Sequence, residues 1–354
     1  MVSFLVLYLS DQTLILGCLL LTTALNIFSV YFSNPWIFFI SFGFSIGINA
    51  TFMSYPTIWM GWKVFNKRKG LFVGISAAPY ILAPFCLGAI FTWLVNPDNL
   101  EGEFRHNLVY FEEAVYNRVP NALLWLAGIN LVAGILTVFM TVGFSSKPET
   151  KEESSLTLKG LLKQRTFWYL FFSLFFKIFF YHFIINVYKN LGMYYFNDDH
   201  FMNLASFLGF GCCAVGKIVL GALFDKYEWK KLSSVFIAVE VCLTLAVPFV
   251  RGNKILFCIW LSIALSVSGI NFISIWVLTQ NLYPKSNWVM SIVAVSLIFD
   301  MILVNFYMSY LVPRFGYTWV FLSLLGFHFI SFLLLVFKEK LTKDHKEDLL
   351  LAVR

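Results

Sequence analysis

Six ionisable side chains lie inside stretches that are otherwise apolar: Lys177, Lys217, Glu240, Asp300, His182 and His328. At membrane depth such a group costs about 2.5–3.5 kcal/mol on insertion scales, so each is a candidate for function. An ammonium in a low-dielectric cavity attracts a carboxylate strongly and releases it when the cavity opens to water. Lys217, Asp300 and Lys177 are therefore the substrate-binding candidates. Lys217 lies mid-stretch between Gly216 and Gly221. It reads as a site residue or as half of a structural ion pair. Asp300 is its expected partner, either neutralising it in the empty state or taking a proton. Lys177 shares a helix face with Tyr181, four residues on, and an aromatic neighbour can hold a cation over its ring. Asp300, Glu240 and His182 are the candidates for proton coupling. The imidazole titration range suits that work. For His182 and His328 the alternative is a packing histidine with one nitrogen satisfied.

These side chains need helices to carry them. A hydrocarbon core about 30 Å thick is crossed by about 20 apolar residues of helix. Ten stretches meet that length, near 13–32, 36–58, 70–95, 121–144, 167–187, 202–224, 232–250, 254–279, 288–311 and 319–337. The expected fold is an all-α integral membrane protein of about ten transmembrane helices, four before and six after a polar segment. The chain is 59% hydrophobic and 13% charged, which leaves no large soluble domain. Its 41 Phe fit lipid-facing and helix-to-helix packing. The six Cys all fall inside the stretches and form no CxxC pair, so neither a disulfide framework nor a zinc site is indicated. No HExxH, GxSxG or glycine-rich phosphate loop occurs, so no enzyme, cofactor or metal chemistry is expected. The net charge of +7 comes from residues at stretch borders rather than from one patch, which argues against a nucleic-acid partner.

Basic residues accumulate on the cytoplasmic side of membrane proteins. Most of the 26 Lys and Arg residues fall on one alternating set of borders, including 63–69, 147–165, 226–231 and 338–354. The segment 145–166 and the C-terminus are accordingly expected on the cytoplasmic side, or the matrix side in a mitochondrion. The segment 96–120, with Asp98, Glu101, Glu103, Glu112 and Glu113, is expected outside. The organisation follows as an N-terminal helical bundle over 1–144, a cytoplasmic linker over 145–166, a six-helix bundle over 167–337 and a cytoplasmic tail over 338–354. Residues 1–9 are apolar but lack a basic leading region and a cleavage site, so no cleavable signal is expected. Lys67, Arg68 and Lys69 read as a topological anchor to anionic headgroups. Gly43 and Gly47, and Gly70 and Gly74, are spaced four apart and permit close helix approach.

Internal repetition is common in transporters, with the substrate site near the midplane where the repeats meet. Asp225 ends the second stretch after the linker and is followed by four more. Asp11 stands before four stretches in the first half. The two acids read as counterparts, which makes the first half an incomplete copy whose first helix is absent and whose second is residues 1–9.

Several segments together resemble one family. Trp62-Lys63-Val64-Phe65-Asn66-Lys67-Arg68-Lys69-Gly70-Leu71-Phe72-Val73-Gly74-Ile75 is similar to the Trp-Phe…Arg-Arg-Gly-Leu-Ala-x-Gly-Ile signature of the oxalate/formate-antiporter and monocarboxylate-transporter branch of the major facilitator superfamily. Val95-Asn96-Pro97-Asp98-Asn99, Tyr110-Phe111 and Arg118-Val119-Pro120 resemble the outer loop of oxalate/formate-type members. Asn186-Val187-Tyr188-Lys189-Asn190-Leu191-Gly192, Asp198-Asp199-His200-Phe201 and Gly216-Lys217-Ile218-Val219-Leu220-Gly221…Asp225-Lys226 resemble eukaryotic members. The resemblance implies a truncated superfamily architecture of four plus six helices. It also implies secondary transport of small carboxylates by alternating access, with no cofactor. Lys217 takes the position of the eighth-helix arginine that pairs with the substrate carboxylate. As a lysine it makes no two-pronged grip. Cys213 replaces the acid that monocarboxylate members carry four residues earlier. Asp300 lies on the helix where oxalate-type members carry a second cation. Asp225 with Lys226, Lys230 and Lys231 corresponds to a gate latch in the superfamily; a solvated border loop is the alternative.

The partners implied are a small organic anion, the lipid bilayer and a protein or lipid closing the side left by absent helices. The localisation implied is multi-pass, plasma membrane ahead of an organelle. A transport-inactive accessory subunit is the alternative function.

Overall fold

The computed structural model describes residues 10–31, 34–65, 67–98, 100, 103–105, 108–110, 112–143, 156–196, 198–283, 286 and 288–352. The stub reading of residues 1–9 and positions 145–155 of the polar linker lie outside the described residues, as does the side chain of Asp11.

Helices α1 (Asp11–Val30), α2 (Pro35–Val64) and α3 (Lys69–Val95) come first. A short antiparallel ribbon of β1 (Glu103–Arg105) and β2 (Leu108–Tyr110) follows, paired from Glu103↔Tyr110 to Arg105↔Leu108. Next are α4 (Glu113–Tyr116), α5 (Val119–Met140), α6 (Leu158–Lys163), α7 (Arg165–Phe196), α8 (Asp199–Lys226), α9 (Trp229–Ala246), α10 (Lys254–Ser268), α11 (Ile270–Leu282), α12 (Trp288–Val293), α13 (Ser296–Phe306) and α14 (Val312–Ala352).

Helix starts are set locally. Ser10 accepts from Thr13 N–H, Asn34 from Trp36 N–H with Pro35 in the first turn, Asp198 from Phe201 N–H, and Asn253 from Ile255 and Leu256 N–H. Each such cap satisfies a donor that the helix leaves open, worth about 1 kcal/mol. Asp198 also pairs with Lys254, tying the start of α8 to the start of α10.

Among the described residues, eight helical runs are long and apolar enough to cross a membrane. Ten stretches were expected, and the difference has two causes. The run 288–336 is 49 residues long and holds two of the expected spans. A π-helical turn at Tyr307–Leu311 and a non-helical Gly316 (φ 73°) interrupt it. The stretch 36–58 lies in the 30-residue α2, of which only 36–45 is described fully enough to be judged.

The chain forms two compact units, Met1–Asn66 with Ala83–Thr150, and Lys67–Leu82 with Lys151–Arg354. In the first, α1 packs on α2 and α5. Leu19 fills the space beside Gly134, where an added Cβ would meet it at 2.3 Å. The Gln12 amide donates to the Thr141 carbonyl at 2.8 Å. A shallow apolar groove along α5, lined by residues such as Leu124, Gly128 and Val132, carries no ionisable side chain.

In the second unit α7 is the central rod, touching α8, α10, α11, α12, α13 and α14. Its Phe-rich sequence explains this. Phe167, Phe179, Phe180 and Phe183 are fully buried, and Phe179 stacks on Phe327 at 4.3 Å between ring centres. A helix apolar on all sides is stable only where neighbours surround it.

Candidate functional site

Lys217 is on α8, 4% exposed. Its Nζ lies 5.4 Å from the centre of the Tyr181 ring, which α7 presents from the facing helix. Gly269, at the junction of α10 and α11, leaves room for both: a Cβ there would meet Lys217 Cε and Tyr181 Cε2 at 3.2 Å. One turn before Lys217, the Cys213 thiol donates to the Leu265 carbonyl at 3.2 Å. Among the described residues no carboxylate reaches the Lys217 ammonium within salt-bridge distance.

Asp300, expected beside Lys217, is instead joined to His182. Asp300 Oδ2 and His182 Nδ1 form a short contact between α13 and α7. Asp300 is 0% exposed, and its other oxygen, Oδ1, has no hydrogen-bond partner. The His182 side chain keeps 16% exposure. The pair therefore joins a fully buried carboxyl to an imidazole that keeps partial exposure. The physical reason for the changed pairing is rotation along α7. Tyr181 and His182 are successive residues about 100° apart on the helix, so one faces Lys217 and the next faces α13.

Lys177 and Glu240 come together elsewhere in the same unit. Lys177 Nζ sits 4.0 Å from the Trp229 ring centre, so its aromatic neighbour is Trp229 on α9, while Tyr181 serves Lys217. Asn271 on α11 donates to the Lys177 carbonyl at 3.1 Å and to Glu240 Oε1 at 2.7 Å. His328 on α14 faces the other carboxylate oxygen at 3.5 Å. Sequence reasoning missed Asn271, Thr244 and Trp229. The signal for Asn271 was present, since an amide at membrane depth needs a partner on another helix.

The border residues form a third group. Asp225, in the last turn of α8, accepts from Gly70 N–H at 2.7 Å and Leu71 N–H at 2.8 Å. These are open donors in the first turn of α3, where the helix dipole also favours a negative charge. Below this contact the two backbones touch. A Cβ on Gly70 would meet the Gly221 carbonyl oxygen at 2.5 Å, and one on Gly74 would meet the Lys217 carbonyl oxygen at 2.3 Å. Gly43 has open space around it, and the surroundings of Gly47 lie outside the description. Lys226 and Lys231 are exposed, and Lys231 pairs with Glu228 at 3.4 Å. Lys230 is half-buried. Lys67 and Arg68 are exposed and Lys69 is half-buried at the start of α3.

A family model described as the Major Facilitator Superfamily matches residues 2–287. The chain belongs to the Major Facilitator Superfamily. Comparison with curated proteins returned no match. Superfamily membership and the eight apolar helices among the described residues make this a multi-pass integral membrane protein of the secondary-transporter class, with a lipid bilayer around it and a small molecule as substrate. Superfamily members are transporters rather than enzymes.

Proposed function

We propose that this superfamily member carries a small organic anion, a monocarboxylate or an oxalate- or formate-like ion, by alternating access. The observation that supports this reading is Lys217: a buried cation with no anionic side chain beside it among the described residues. An uncompensated buried charge is strongly unfavourable. A carboxylate entering beside it supplies the missing counter-charge. The Tyr181 ring face holds the ammonium in place meanwhile.

Asp300 and His182 supply the coupling. Asp300 Oδ1 is a buried acceptor with no donor, so a proton, or a hydroxyl of the substrate, completes it. His182 passes that proton to or from water on its exposed side. The Asp225 carboxylate on the α3 helix start is the latch. Withdrawing it leaves two N–H groups open, which favours the closed arrangement until water reaches them.

The helical bundles over 1–144 and 167–337, joined by a cytoplasmic segment at 145–166 and ending in a cytoplasmic tail at 338–354, are the parts we propose to rock about the site. The address we propose is the plasma membrane. No observation favours the accessory-subunit alternative.

The test is exchange of labelled anions by the full chain in proteoliposomes, with formate, oxalate, lactate and pyruvate as the panel. Exchange of at least one, lost in Lys217→Gln and kept in Lys217→Arg, is the expected result. Full exchange in Lys217→Gln overturns the reading.

A further inference from the structure

Tyr181 carries a donor that the protein does not use. The side chain is 5% exposed, and its hydroxyl has no hydrogen-bond partner among the described residues. Leaving a buried O–H unpaired is unfavourable, because water no longer completes it. A phenol hydrogen kept dry and free on α7, beside an ammonium on α8, is a binding feature rather than a packing one.

The neighbouring polar groups are already committed. The Cys213 sulfur stands near the phenol, but the two make no hydrogen bond. The Cys213 thiol donates to the Leu265 carbonyl at 3.2 Å, and the Gly269 N–H donates to the same oxygen at 3.2 Å. A carbonyl oxygen has two lone pairs, so that acceptor is full. Gly269 also sets the spacing. A Cβ there would meet Lys217 Cε and Tyr181 Cε2, both at 3.2 Å, so the amine stem and the phenol ring rest against the same bare position.

The Lys217 ammonium lies over the face of the Tyr181 ring, 5.4 Å from its centre. The hydroxyl projects from the edge of that ring. The two donors therefore reach a ligand from different sides. An ammonium alone grips a carboxylate at one point. We propose that the Tyr181 hydroxyl is the second point of the anion seat: the Lys217 ammonium takes one carboxylate oxygen and the phenol O–H takes the other. On the anion reading above, on which this rests, the substrate narrows to anions with two acceptor oxygens on one carbon. A single-atom anion such as chloride gives the ammonium its counter-charge without supplying an acceptor at the ring edge. Because the two points stand on different helices, a bound carboxylate ties α7 to α8.

The test is calorimetric titration of the full chain in lipid nanodiscs with formate, oxalate, lactate and pyruvate in turn, and with chloride. Parent, Tyr181→Phe and Lys217→Gln are compared. Phenylalanine keeps a ring face under the ammonium and removes only the O–H. The expected result is carboxylate affinity lowered about tenfold in Tyr181→Phe, with chloride affinity unchanged. The melting temperature of Tyr181→Phe without added anion stays at or above the parent's, because the variant loses an unpaired group and no bond. A lower melting temperature overturns the proposal, since it means the hydroxyl already has a partner inside the protein. An equal loss for carboxylate and chloride also overturns it, because the tyrosine then only supports the ammonium. Carboxylate affinity kept in Tyr181→Phe but lost in Lys217→Gln removes the second point and leaves the anion reading standing. A parent that binds none of the four carboxylates, or full affinity in both variants, overturns the anion reading and the second point with it.

Discussion

Lys177 and Lys217 are both buried amines, one on α7 and one on the neighbouring α8, and their surroundings differ in kind. Lys177 lies on a tryptophan face, its charge acts on Glu240, and Asn271 bonds both its carbonyl and the Glu240 carboxylate. Lys217 has a tyrosine face and a thiol one turn away, with no carboxylate among the described residues. A cation whose counter-charge comes from the fold is part of the protein's own electrostatics. On the function proposed above, a cation without one takes its counter-charge from outside. The contrast assigns different work to two side chains that composition cannot distinguish.

The largest effect expected from that contrast is at Lys217. Lys217→Gln lowers anion affinity at least tenfold, about 1.4 kcal/mol, in calorimetric titration of the reconstituted chain. An unchanged affinity would erase the distinction. Next is Gly74→Leu, which drives a side chain into the Lys217 carbonyl. Overpacking of this kind costs about 1–3 kcal/mol, read as a lower melting temperature in detergent. A melting curve like that of the parent would mean α3 and α8 separate freely. Asp225→Asn replaces a charged cap by a neutral one and costs about 1 kcal/mol, visible as faster hydrogen exchange at Gly70 and Leu71. Protection equal to the parent's would show that the carboxylate charge adds nothing there. The smallest effect is Lys177→Met, which changes anion affinity by less than about threefold, or 0.7 kcal/mol. A loss matching that of Lys217→Gln would place both amines in one site.

The pH response separates the two regions further. Asp300→Asn removes the carboxyl that holds His182, so the pH dependence of exchange flattens if the proposed coupling runs through that pair. Exchange with the parent's pH profile removes Asp300 from any proton role.

Helix positions were legible in the sequence because apolar length and charged borders fix them. The same logic found Lys177, Lys217, Glu240, Asp300 and His328, all buried among the described residues. Pairing was not legible. Asp300 looked like the partner of Lys217 because both were single charges in apolar runs, but the pairing depends on helix rotation. A step of one residue along α7 separates the side chain facing α8 from the one facing α13, and apolar content on every side of α7 leaves no amphipathic stripe to report its rotation. Asp225 and the Gly70-Leu71 segment were each singled out on sequence grounds. Their bond joins residues 154 and 155 positions apart, and spacing carries no record of that.

Gly74 rests against the main chain of Lys217 itself, and Asp225 lies eight residues farther along the same rigid rod, about 12 Å away. Whatever tugs on the ammonium is felt at a pivot and then at a hook. On the function proposed above, a filled seat and a released hook are two ends of one lever, and a glycine too small to cushion the pivot keeps the lever stiff.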